Sequence, residues 1–286
     1  MPPPPTPPAN PPTERFTTVR GVRLAHLDHG GPGTPLLALH GHFGRARTFS
    51  PLAAALAPHR RVIALEQRAH GHSGSDGDVT PDAYADDAAA FLRALGLGPV
   101  DVLGHSMGGV TAFRLAARAP DLVRTLVVEE GGADNRPPLV PHPVLDTRAW
   151  PRRAPSLDAL RRAIAAQGVP DPAYFLESAV EHPDGWGLLL DHDELYASQT
   201  ALVGDHWPDW LASSCPALLL HGRASTVLPT ALAREMAARR PRTLLREFPA
   251  AGHWLHDDDP DGFAHAVARF LDTATTAAPP PARRVR

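Results

Sequence analysis

The chain contains no lysine: all 28 of its basic residues are arginine. Neither a Schiff-base lysine nor the lysine of a phosphate-binding loop is therefore available to it. Cysteine is almost as scarce, and with Cys215 as the only one no disulfide can close within the chain. No apolar run approaches the roughly 18 residues that cross a bilayer. Met1 runs straight into prolines, without the charged-then-apolar pattern of a secretory signal. Positive charge is not in excess, since the formal net charge is −3 with histidine neutral, and nothing marks a nucleic-acid footprint. These absences predict a cytoplasmic protein that engages neither membrane nor nucleic acid; they do not address oligomeric state.

What is present is enough for a large core: 286 residues, 43% of them hydrophobic. Residues 1–12 are mostly proline and 273–286 mix Thr, Ala, Pro and Arg, so both ends are expected to be disordered tails. Between them, short Leu- and Val-rich runs alternate with longer helical patterns. Phe16–Val19 and Val22–His26 flank Arg20-Gly21 as a hairpin would. Leu36–Leu39, Arg61–Leu65, Val100–Leu103, Thr125–Glu129, Ala217–His221 and Thr243–Phe248 read as further strands. This alternation predicts an α/β protein, a mostly parallel sheet with helices on both faces. The rhythm breaks at 134–212, which holds four of the five tryptophans (Trp150, Trp186, Trp207, Trp210) and no clear strand. That segment is expected to be a helical cap inserted into a core of residues 13–133 and 213–272, with a tryptophan lining a pocket beneath it.

The strongest chemical signal is Gly104-His105-Ser106-Met107-Gly108, directly after the Val100–Leu103 strand and directly before a helix. Two glycines there permit a tight strand-to-helix turn that lifts the Ser106 hydroxyl above the sheet, with the Met107 N–H aimed where negative charge develops. His40-Gly41-His42-Phe43-Gly44 follows an earlier strand. Its backbone, at His42 or alternatively at Phe43, can supply a second oxyanion donor, while structural placement is the preferred role for the two imidazoles. Ala251-Gly252-His253-Trp254 follows the last strand. Serine needs an adjacent base, and an imidazole titrating near neutrality suits both proton transfers; chain order singles out His253 among 16 histidines.

This order of motifs resembles the α/β-hydrolase superfamily over about residues 14–272, and the stretch Glu66–Gly74 resembles that superfamily's D-x-R-G-H-G-x-S loop, departing from it at Glu66 and Ala69. The resemblance implies an aspartate in a G-x-x-D pattern after the penultimate strand, but Ser225 stands there. Some relatives, certain haloalkane dehalogenases among them, place the acid instead after the strand that follows the nucleophile helix. Here that strand ends Glu129-Glu130, with Glu130 24 residues beyond Ser106. Alternation sends the two carboxylates to opposite sides, so one of them faces the histidine and the other should matter little. Glu130 is preferred, with Glu129 and then Asp134 behind it.

The reading that follows is a serine hydrolase cleaving an ester or related acyl bond of a small, partly apolar substrate. Ser106, His253 and Glu130 would act on it, His42 and Met107 would form the oxyanion hole, and Phe43, His105, Trp207 and Trp254 would touch the substrate. No cofactor or metal is implied: each His-x-His pair, 40–42 and 70–72, already has a place in the pattern. An acyltransferase would use the same triad, and a binding or signalling protein with a decayed triad would fit the missing aspartate.

Overall fold

The structure, a computed structural model, describes residues 12–57, 59–169 and 171–276; of the tails expected at 1–12 and 273–286, residues 1–11 and 277–286 lie outside the described residues. Eight strands form one sheet. They are β1 (Thr13–Val19), β2 (Val22–Asp28), β3 (Leu36–Leu39), β4 (Val62–Leu65), β5 (Val100–His105), β6 (Val123–Glu129), β9 (Ala217–Gly222) and β10 (Thr243–Phe248), in the order β1-β2-β4-β3-β5-β6-β9-β10. The β1/β2 and β2/β4 pairs are antiparallel and all others parallel. Arg20 and Gly21, both at positive φ, close the β1–β2 hairpin with the backbone twist that a two-residue turn requires.

The central strands are apolar at nearly every position because both of their faces are covered. Leu37, Leu39, Ile63, Leu65, Val102 and Val128 point to one side, where α2 (Pro81–Ala94), α3 (Met107–Arg118) and α8 (Thr230–Arg239) pack. Leu36, Ala38, Val62, Leu103, Val127 and Leu220 point to the other, against α1 (Ser50–Leu56), α9 (Leu255–Asp258) and α10 (Pro260–Thr276). Helix starts follow local chemistry. In α2 the Thr80 hydroxyl accepts from the Ala83 N–H at 3.3 Å, and Pro81 takes the first helical position, where no N–H is needed. At the other end of the chain α10 runs to Thr276, so the C-terminal tail expected from residue 273 begins inside a helix.

Residues 134–212 lie between β6 and β9. They form α4 (Leu157–Ala165), α5 (Ala173–Leu176), α6 (His192–Leu202) and α7 (Trp207–Ala212), and also an antiparallel hairpin of β7 (Ala179–His182) and β8 (Gly185–Leu188), apart from the main sheet. This hairpin departs from the strand-free segment that the sequence predicts. Pro183-Asp184-Gly185 supplies the turn: Gly185 sits at φ 124°, and a Cβ there would stand 2.5 Å from the Ala154 carbonyl oxygen. The segment shares an apolar cluster with the core, Trp150, Leu160, Tyr174, Phe175 and Leu195 meeting Phe43, Tyr84, Met107 and Trp254.

Candidate active site

A cavity of about 490 Å³ opens where the loops after β3, β5, β6, β9 and β10 meet the inserted segment. Clefts at the carboxyl ends of parallel strands are where such sheets bind ligands. Ser106 stands on its wall at φ 53°, ψ −118°, between the end of β5 and the start of α3. The two glycines of the motif make that turn possible: a Cβ at Gly104 would overlap the Gly108 carbonyl, and one at Gly108 would overlap the Leu39 carbonyl. Met107, in the first turn of α3, has an N–H with no helical acceptor and lines the same cavity. Opposite, the Gly44 N–H bonds the Gly41 carbonyl at 3.2 Å, and with Phe43 at φ 66° this turn brings His42 and Phe43 to the wall. Burial and the neighbouring His70 push the His42 imidazole down to about 3, so the ring is neutral, and its Nε2 bonds the Ser198 hydroxyl at 2.9 Å.

His253 and Glu130 also line the cavity. His253 Nδ1 lies 3.3 Å from Glu130 Oε2. Glu130, directly after β6 at φ 56°, is 1% exposed and is held by its other oxygen, which accepts from the Gly222 N–H and from His221 Nδ1, each at 2.8 Å. A carboxylate only accepts, so the His221 proton sits on Nδ1, and its Nε2 accepts from the Thr230 hydroxyl at 2.9 Å. Burial alone would raise the Glu130 carboxyl, but bonds from His221 and His253 outweigh it and hold the group below the usual carboxylate range. No hydrogen bond joins Ser106 to His253 among the described residues; such contacts are often loose before substrate binds.

The other predicted residues divide. His105 and Trp254 reach the cavity. Trp207 does not: its ring lies 3.9 Å beneath the Arg239 guanidinium, against the core. Nor does any other tryptophan of 134–212 line the cavity. Trp210 is fully buried with its indole N–H on the Met236 carbonyl at 2.9 Å, and Trp150 stands behind the wall, edge-on to Phe175. The apolar wall is built instead from Val140, Leu145, Val169, Phe175, Leu202 and Val203. Helical spacing cannot say which face of a tryptophan-bearing helix turns toward the cavity and which toward the core. Asp134 is turned to Arg136, and Glu129 to His256. His40 and His70 are engaged locally, with the Gln67 N–H and the Arg68 carbonyl. His221 had no sequence signal of its own beyond its place at the end of a strand.

The residues 36–266 match the model of the alpha/beta hydrolase family. The chain is 31% identical over 269 residues to N-formylmaleamate deformylase of Pseudomonas putida, covering 89% of this chain and 95% of that one. It is 30% identical over 263 residues to the sn-1-specific diacylglycerol lipase ABHD11 of Mus musculus, covering 86% and 83%. Among solved structures, E-2-(acetamidomethylene)succinate hydrolase superposes with a TM-score of 0.79 at 24% identity, over 91% of this chain and 99% of that one. Among the described residues no helix is long and apolar enough to cross a membrane. The eight-stranded sheet, the strained turn at Ser106 and the family match lead to one assignment: this chain is a hydrolase and belongs to the α/β-hydrolase family.

Proposed function

We propose that the protein hydrolyses a carboxylic ester or related acyl bond of a small, partly apolar substrate through a covalent acyl-enzyme on Ser106. The observation that carries this reading is the Glu130–His253 contact of 3.3 Å in the cavity that Ser106 lines. With Nδ1 turned to Glu130, the histidine keeps its proton on that nitrogen and presents a bare Nε2. Ser106 Oγ attacks the acyl carbon while Nε2 takes its proton, and the tetrahedral oxyanion is received by the backbone N–H groups of Met107 and of His42 or Phe43. Collapse expels the alkoxide or amine, which takes the proton back from Nε2. Water then attacks the acyl-enzyme, again giving its proton to Nε2, and the acid leaves as Ser106 is reprotonated. Glu130 stabilises the imidazolium at each stage.

The apolar walls favour an apolar acyl or alcohol portion. Relatives named as a diacylglycerol lipase and a deformylase support acyl-bond cleavage without choosing between ester and amide. A fluorophosphonate probe tests the reading. It should label the wild-type chain once, at Ser106, and should fail on Ser106→Ala and lose most of its rate on His253→Ala. Labelling of folded Ser106→Ala at the wild-type rate would remove Ser106 as the nucleophile.

A further inference from the structure

We infer that Glu129 and His256, with His105, form a buried clamp that positions His253 against Ser106; the inference rests on the hydrolase reading above. Glu129 is the last residue of β6, and its side chain leaves the strand away from Glu130 and outside the cavity lining. It is fully buried, and its Oε1 accepts twice from one residue: from the His256 backbone N–H at 3.1 Å and from His256 Nδ1 at 2.7 Å. From the other side His105, the residue before Ser106, donates Nε2–H to the His253 carbonyl at 3.0 Å. Its ring packs against both of the others, with centroids 4.7 Å from His253 and 4.9 Å from His256.

The loop after β10 is thus fastened at two points three residues apart, one on each of two adjacent strands. Those strands are β5, which delivers Ser106, and β6, which delivers Glu130. The clamp therefore registers the histidine to the strands that carry its two partners. A buried carboxylate is costly without a partner, so Glu129 is not an inert neighbour of Glu130. Its charge and hydrogen bond raise the His256 imidazole although burial alone would lower it. The expectation that the carboxylate facing away from His253 matters little is replaced by this role.

Proton transfer is sensitive to placement, and a shift of about 1 Å costs on the order of 100-fold. Glu129→Ala should lower kcat toward p-nitrophenyl butanoate by about that factor with KM nearly unchanged. Glu129→Gln should recover most of the loss, because the amide oxygen still accepts from His256. The deciding measurement is the same substitution in a His253→Ala background, where a residue acting through His253 has nothing left to position and should cost almost nothing. An equal loss in both backgrounds would overturn the clamp. So would a Glu129→Gln variant that stays folded yet is as slow as Glu129→Ala. If Glu129→Ala does not fold, the imidazole ¹⁵N shifts of His253 in Glu129→Gln decide, and an unchanged His253 alongside a lowered kcat refutes the role. Near wild-type activity in His253→Ala itself would instead defeat the hydrolase reading. Finally, among the described residues His105 Nδ1, Glu129 Oε2 and His256 Nε2 have no hydrogen-bond partner, and the ligand atoms of these three residues lie within 4.8 Å of one another. Activity lost to a chelator and restored by one equivalent of Zn²⁺ would make them a metal site and overturn the clamp.

Discussion

Replacing Glu130 by glutamine removes one charge and almost no volume, and the structure dictates how the amide must sit. The oxygen now held by the Gly222 N–H and His221 accepts two bonds. A backbone N–H cannot change its role, so the amide oxygen must stay there; turning the NH₂ toward Gly222 would set donor against donor at a cost of roughly 1–3 kcal/mol. The amide NH₂ is therefore forced toward His253 Nδ1, at the position that Oε2 now occupies 3.3 Å away. It donates there, so Nδ1 must become the bare nitrogen and the proton moves to Nε2, the atom that has to receive the Ser106 proton. The corresponding change in a serine protease triad lowers kcat by about 10,000-fold, or ~5.4 kcal/mol at 1.36 kcal/mol per decade. We expect a loss of that order in kcat/KM for an activated ester, with an unchanged far-ultraviolet spectrum. A folded Glu130→Gln variant within about tenfold of wild type would refute the reasoning, because the tautomer argument allows no such partial effect.

Two further outcomes follow from the same neighbourhood. Because Glu129 holds the His256 imidazole above its ordinary value of 6.5, that pair's stabilisation is complete below the unfolded value and is lost as pH rises through the raised folded one. The difference in Tm between wild type and Glu129→Gln should accordingly shrink from mildly acid to alkaline pH, and a constant difference would contradict the ion pair. Ser225 is near enough to help lower the Glu130 carboxyl, so Ser225→Asp in the wild-type chain sets two carboxylates together and should slow hydrolysis roughly tenfold. Added to Glu130→Gln, it should restore part of the rate, and the absence of any such reversal in steady-state assays would show that residue 225 cannot reach the histidine.

The fold was legible because the sheet is buried on both faces. Runs such as Leu36–Leu39 and Val62–Leu65 have no polar face to confuse with a surface helix, and the turn residues between them are explicit. The strand–turn–helix around Ser106 was legible for a steric reason, since only glycine fits at 104 and 108. That Glu129 and Glu130 turn to opposite sides followed from strand alternation; which of the two faces His253 did not. What could not be read was everything decided by contact between distant segments. His221 bonds a residue 91 positions away, and His256 one 127 positions away. Neither pairing leaves a local trace. Trp207 failed for the same reason: its surroundings are set by Arg239 of α8, which no pattern within 134–212 reports.

Backbone conformation sets some of the cavity residues apart from the rest of the chain. Six residues other than glycine adopt positive φ among those described, and three of them, Phe43, Ser106 and Glu130, line the cavity. Such conformations cost of order 1–3 kcal/mol each unless glycine occupies them, and they persist where the surroundings over-determine them. Arg20, Ala69 and Arg242 stand in turns outside the cavity lining. At the other three, each follows the end of a parallel strand, and each departs from the strand direction so that its side chain or its N–H meets the cavity. Glycine would relax every one of them, and at Ser106 and Glu130 it would delete the hydroxyl and the carboxylate. A strained serine and a strained glutamate line one cavity with His253, the residues that the proposed triad requires. Their strain favours the proposed working triad over a decayed one, in which it would persist with nothing to offset it.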